Sequence, residues 1–200
     1  MEPVARIATA DSVDIVELAA VAARTFPLAC PPSVASEDIA SFIDANLSEE
    51  RFAEYLAAPQ RRILTTGHDD RITGYAMLIN GVNDDPDVQL AGDIRPAAEL
   101  SKMYVLPAHH GSGTSTVLMD AALVAAADWG ADCVWLGVNQ KNQRAQGFYR
   151  KCGFTVNGIR TFQLGAHIEH DYVMVRRASA LTGNPVHAGT LPTCCNHPHG

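Results

Sequence analysis

The sequence predicts an α/β (α+β) domain, with a mixed central β-sheet of about seven strands flanked by about four to five helices. Three observations point there. Apolar residues recur at helical spacing in some segments and alternate or run together in others. Strands and helices alternate only in the middle of the chain, so parallel and antiparallel pairs should coexist. A strand, a glycine loop and a helix start stand in series at Met103–Leu118, MYVLPAHHGSGTSTVL.

Val4–Ala8 alternates as a first strand. Asp11 is the expected N-cap of the next helix, with Asp14 in its first turn, where the helix dipole favours negative charge. Ile15, Leu18, Ala19 and Ala22 carry that helix to about Thr25, and Pro27, Pro31 and Pro32 stop it. Ser36 opens a second helix with Ile39, Phe42, Ile43 and Leu47 on one face. Ser48 opens a third, in which Phe52 and Leu56 form an i, i+4 pair. Arg61–Gly67 and Arg71–Asn80 read as strands joined by a turn at His68-Asp69-Asp70.

Gly81–Ala98 is rich in Asp, Asn, Gly and Pro and reads as a loop. Leu100–Leu106 is the next strand, ended by Pro107. Thr114 to about Gly130 is a long helix with Leu118, Ala121, Ala125 and Trp129 on one face. Cys133–Val138 is continuously apolar, as in a strand buried on both faces. Asn142 caps the last helix and Gly153 closes it. Phe154–Ile159 and Asp171–Arg176 form a closing pair of strands. The expected organisation is one domain over residues 1–178 and a disordered tail, rich in Gly, Pro, Thr and His, over 179–200.

The chain has 200 residues, a length that favours one domain. Its formal net charge of −7 argues against nucleic-acid binding, which needs a basic face. Acidity suits a cationic substrate, though only weakly. The five cysteines are irregularly spaced, and Cys133 and Cys152 fall inside predicted elements. That pattern suggests free thiols in a reducing compartment. The first residues, MEPVARIATADS, lack the basic flank and apolar run of a signal peptide. No stretch approaches the ~18 apolar residues of a membrane span, so a cytoplasmic protein is expected.

Gly111-Ser112-Gly113 follows a strand and precedes a helix. The first helical turn leaves backbone N–H groups unpaired, and with the positive dipole end they attract an anion. Glycines let the backbone approach that anion and adopt positive φ. The segment is neither a P-loop, lacking GK[ST], nor GxGxxG. Alone, it is a weak motif, better explained as a plain strand-to-helix turn capped by Thr or Ser.

A second segment changes the reading. Asn139–Phe154, NQKNQRAQGFYRKCGF, is a polar turn and a short helix ending near Tyr149. Within it, Asn142, Ala145, Phe148, Tyr149, Lys151, Gly153 and Phe154 match N-x-x-A-x-x-F-Y-x-K-x-G-F in full. Val105-Leu106-Pro107 then His110-Gly111-Ser112-Gly113-Thr114-Ser115 match V-x-P then [QR]-x-x-G-x-[GA], with His110 and Ser115 as departures. On these motifs the chain closely resembles the GCN5-related N-acetyltransferase (GNAT) superfamily, over roughly residues 4–177. It looks closest to the PaiA-like polyamine acetyltransferases, through Thr25-Phe26, the helices of Ser36–Ala58, Trp135-Leu136-Gly137-Val138 and Phe162-Gln163-Leu164-Gly165.

The resemblance implies a GNAT fold and direct transfer of acetyl from acetyl-CoA to an amine. It implies that the loop His110–Ser115 and the helix residues Asn142, Ala145, Phe148, Tyr149 and Lys151 hold the coenzyme. Met103, Tyr104 and Val105 would offer it a bare strand edge. Tyr149 would protonate the departing thiolate. Glu99, where relatives carry a carboxylate, is the candidate base; a solvated Glu at a loop end is the alternative. An alkyl ammonium has a pKa near ~10.4, so some group must take its proton. The expected acceptor is a small polyamine-like amine. Protein lysine or N-terminal acetylation and a non-catalytic CoA sensor are the alternatives. The resemblance also raises a homodimer.

Other groups read as less functional. Asp84, Asp85, Asp87 and Asp93 form a solvated acidic loop. Cys152 is a small core residue, and Trp129 and Trp135 are core. Cys194, Cys195, His197 and His199 match no standard metal spacing, so no metal is expected. The His109–His110 pair is set aside because its loop is needed for backbone contacts.

Overall fold

The computed structural model describes residues 3–82, 86–91, 95–164 and 167–177. The tail from 179, with its Cys and His residues, lies outside them, as do Asp84, Asp85 and Asp93. One seven-stranded mixed sheet organises the rest, in the order β1-β2-β3-β4-β5-β7-β6. The strands are β1 (Val4–Ala8), β2 (Arg61–His68), β3 (Arg71–Asn80), β4 (Ala97–Val105), β5 (Cys133–Asn139), β6 (Thr155–Leu164) and β7 (His167–Arg177). Only β4 and β5 pair in parallel. The helices are α1 (Ile15–Thr25), α2 (Ser36–Asn46), α3 (Glu49–Ala57), α4 (Pro86–Ala91), α5 (Thr114–Asp128) and α6 (Gln143–Lys151).

Period-2 alternation sorts the sheet residues into two layers. On one face Ala76, Leu78, Val134, Leu136 and Met174 meet the small and aliphatic side of α5, with Ala145, Phe148 and Tyr149 of α6 at its margin. On the other, Ile63, Tyr75 and Met77 pack under Leu18, Ala22 and Phe52 of α1 and α3. Val88 of α4 covers Trp135, Val173 and Val175 on that same face. No helix among the described residues is long and apolar enough to cross a membrane.

Several sequence expectations need correction. The cap of α1 is Asp14, whose side chain accepts from the Glu17 N–H at 3.0 Å. Asp11 belongs to the preceding turn, in which the Ser12 and Val13 N–H groups bond the Thr9 carbonyl. Gly81–Ala98 is not a continuous loop: it contains α4, and β4 already begins at Ala97. The closing hairpin of β6 and β7 extends well beyond Ile159 and starts well before Asp171. Trp135 is buried at 2% exposure, whereas Trp129 is only partly buried, with Arg62 over its ring at 4.7 Å.

Candidate active site

Two strands that begin as partners come apart. The β4–β5 ladder consists of Ala97–Cys133, Ala98–Val134 and Glu99–Trp135. Beyond that point β4 runs to Val105 and β5 to Asn139 without pairing. The β3–β4 register passes from Leu78–Leu100 to Met77–Lys102, leaving Ser101 as a bulge. A bulge bends its strand and increases local twist, which steers β4 away from β5. The Met103–Val105 edge that faces the gap is therefore free of β5.

Two cavities meet in the gap. One, of about 730 Å³, lies between the end of β4, the glycine loop and α6. The other, of about 620 Å³, lies between β4, the chain after α1, and the β6–β7 hairpin. Met103, Tyr104, Asn142, Ala145 and Tyr149 line both.

The first cavity gathers most of the expected coenzyme residues. Gly111 and Gly113 have φ of 81° and 87°, and a Cβ at either would meet nothing within 4 Å. Backbone conformation, not crowding, thus calls for glycine at these positions. The first bond of α5 runs from the Val117 N–H to the Gly113 carbonyl, so the amides of Thr114, Ser115 and Thr116 precede the helical ladder. Gly111, Gly113, Ser115 and Thr116 line the cavity. Ser112 and Thr114 do not: the Ser112 hydroxyl donates to the His109 carbonyl at 2.7 Å and meets that of Thr114 at 2.8 Å. They shape the loop from behind. His110 Nε2 lies 2.8 Å from the Val105 carbonyl, tying the loop to the end of β4.

Across the gap, Asn142 caps α6 by accepting from the Ala145 N–H at 3.0 Å. Gln146 donates to the Asn139 and Gln140 carbonyls and so fixes the helix against the end of β5. Phe148, Tyr149 and Lys151 line the first cavity, and so does Arg144, which the sequence reading passed over. The Tyr149 ring sits edge-on between Phe148 at 5.7 Å and Phe154 at 6.0 Å. Burial pushes its phenol up to about 12, so it keeps its proton at neutral pH.

The second cavity holds Glu99 together with Tyr149. Glu99 is 9% exposed, and burial raises its carboxyl pKa, with Arg160, Lys102 and Arg61 pulling the other way. The same burial pushes the Lys102 ammonium down to about 8. Asp171 pairs with Arg160 at 3.4 Å and Glu169 with Lys141 at 3.2 Å. Arg160 lies across Gly137, where any Cβ would overlap its guanidinium. Lys102, Arg160, Glu169, Asp171 and Arg61 were missed from sequence. For Glu169 and Asp171 the signal existed: they continue, at period 2, the face that Val173 and Val175 bury.

The chain as a whole resembles known proteins. The model of the "Acetyltransferase (GNAT) family" matches residues 27–154. An uncharacterised N-acetyltransferase of Mycobacterium bovis is 66% identical over 163 residues, covering 82% of this chain and 97% of that protein. Among solved structures, the PaiA N-acetyltransferase from Thermoplasma acidophilum in complex with coenzyme A superposes with a TM-score of 0.69 at 21% identity, covering 88% of this chain and 99% of that one. The ribosomal-protein-S18-alanine N-acetyltransferase from Escherichia coli gives 0.60 at 18% identity, covering 87% and 94%.

Proposed function

The chain belongs to the GNAT acetyltransferase family, and from that premise we propose that it acetylates a primary amine of a small molecule at the junction of the two cavities. The observation that carries this reading is that Tyr149 and Glu99 line one cavity, while Tyr149 also lines the cleft beside the start of α5.

Acetyl-CoA supplies the acetyl group. The amides of Ser115 and Thr116, at the positive end of α5, suit its diphosphate. Arg144 and Lys151 add positive charge on the facing helix. The unpaired edge of Met103–Val105 suits an extended amide-bearing arm, by the hydrogen bonding that joins neighbouring strands. Ser115 stands where relatives carry Gly or Ala. Ser115 lines the cleft, and a hydroxyl there is a potential donor to a phosphate oxygen.

Glu99 takes the proton of the acceptor ammonium, directly or through water. Its raised pKa brings it closer to neutral pH than an ordinary carboxylate. Tyr149, still a phenol, donates to the departing sulfur. A polyamine-like acceptor finds Glu99, Glu169 and Asp171 in its cavity, but Lys102, Arg61 and Arg160 offset them. With Glu169 also paired to Lys141, the cavity is not acidic.

A thiol-release assay with acetyl-CoA against small amines and amine-bearing peptides tests the reading. Turnover of small amines supports it. Turnover of peptides alone moves the acceptor to protein, and coenzyme binding without thiol release leaves only a sensor.

A further inference from the structure

The acceptor cavity carries charge that the proposed chemistry does not use. Arg61 and Lys102 converge on one ring: the Arg61 guanidinium carbon lies 4.6 Å from the Tyr55 centroid, and the Lys102 ammonium 5.7 Å. All three side chains line the cavity with Glu99. Among the described residues, neither cation has a carboxylate within ion-pair distance. The other charges nearby are matched, Arg160 by Asp171 and Lys141 by Glu169.

Two like charges drawn toward one ring and partly out of water are unfavourable unless an anion joins them. Glu99 offsets one of them through space. The second has no carboxylate partner among the described residues. Lys102 registers the imbalance: burial lowers its pKa, Arg61 lowers it further, and Glu99 alone opposes them.

Resting on the acetyltransferase reading, we propose that the acceptor is an ampholyte, a primary amine that also carries an anionic group. The amine lies toward Glu99 and Tyr149. The anion, a carboxylate or a phosphate, lies between Arg61 and Lys102 beside Tyr55. A guanidinium fork donates to either group in a bidentate manner, and an ammonium adds a point charge. A simple polyamine would instead set a second ammonium against these two cations.

Three acceptors of equal chain length decide the matter: an ω-amino carboxylate, an ω-aminoalkyl phosphate and the matching diamine. Each is assayed by thiol release and by calorimetric titration into coenzyme-saturated protein. At least one anionic acceptor should exceed the diamine in kcat/KM by about tenfold or more, the scale of one new charged contact. Whichever it is identifies the anion. Lys102→Met and Arg61→Gln should each shrink that preference, and Lys102→Glu should turn it toward the diamine. Coenzyme affinity measured on each variant reports that the fold is intact. A wild-type preference for the diamine, or a preference unmoved by Lys102→Met, overturns the proposal and leaves the acetyltransferase reading standing. Thiol release with no amine at all overturns that reading instead; the titrations then still show whether the anionic ligands bind through Lys102.

Discussion

Glu99 and Lys102 are three positions apart in β4, yet both face the acceptor cavity. In a regular strand that spacing sends side chains to opposite faces. Here Ser101 is the extra residue of a bulge, so Glu99 pairs with Ile79 and Lys102 with Met77, two positions on one face of β3. The bulge does two things at once. It brings a carboxylate and an ammonium together, and it bends β4 away from β5 to open the cleft.

Glu99→Gln should lower kcat/KM by about 100-fold or more, the usual contribution of a general base. Wild-type activity should rise with pH as Glu99 ionises, with a midpoint above the ordinary carboxylate value of about 4.3. The variant should lose that acid limb, whereas an unchanged pH–rate profile would exclude Glu99 as the base. Stability should move the opposite way. A carboxyl whose folded pKa is raised favours folding below its unfolded pKa, and that contribution disappears as pH climbs through the folded value. Thermal melts should therefore find Glu99→Gln more stable than wild type at pH 8, with the gap narrowing in acid.

Tyr149→Phe removes only a hydroxyl from a ring seated between Phe148 and Phe154. We expect kcat to fall by about 100-fold, with coenzyme affinity within about twofold of wild type. Because burial holds the phenol up to about 12, wild-type kcat should show no alkaline loss from Tyr149 between pH 7 and 10. Equal kcat in the variant would remove this residue from the chemistry.

The motifs of the proposed coenzyme cleft were legible because they are local. The amides of a helix start, the positive φ of Gly113 and the Asn142 cap each follow from a few adjacent residues. The acceptor side was not legible, because it depends on register. Nothing in Glu99-Leu100-Ser101-Lys102 announces a bulge. Asp171 meets Arg160 only through the pairing of β6 with β7, and the polar Thr161, Gln163 and Glu169 disguise that hairpin as a loop. The start of β4 was hidden for a related reason. Ala97 and Ala98 have weak strand propensity, and they are strand here because β3 and β5 flank them. Asp11 lost the cap to Asp14 because the Thr9–Ser12 turn had already used that stretch of backbone.

Gly137→Val tests how the acceptor wall is built. Arg160 lies over this residue, its buried Nε without a hydrogen-bond partner among the described residues. A side chain here must displace the guanidinium and break its contact with Asp171. Overpacking of this kind typically costs about 1–3 kcal/mol, so the melting temperature should drop. The acceptor KM should rise by about tenfold or more while coenzyme affinity is retained, since Gly137 does not line the coenzyme cavity. Calorimetry with coenzyme A beside acceptor kinetics separates the two effects. Loss of both affinities together would mean that Arg160 supports the fold and not the acceptor.

In the proposed coenzyme site, Gly113 would contribute through backbone conformation and Ser115 through its side chain. Gly113 sits at φ 87°, where a branched side chain is strained by at least about 1–2 kcal/mol. Gly113→Val should therefore tilt the first turn of α5 and weaken acetyl-CoA binding by about tenfold or more, although no atom within 4 Å opposes the new Cβ. Ser115→Ala keeps that backbone and removes one donor. If the hydroxyl reaches a phosphate oxygen, affinity should fall by about fivefold, near 1 kcal/mol for one hydrogen bond. If the hydroxyl merely crowds the diphosphate, affinity should rise instead. Isothermal titration of coenzyme A into the two variants reads both outcomes directly. A Gly113→Val protein that bound as tightly as wild type would detach the glycine loop from the coenzyme altogether.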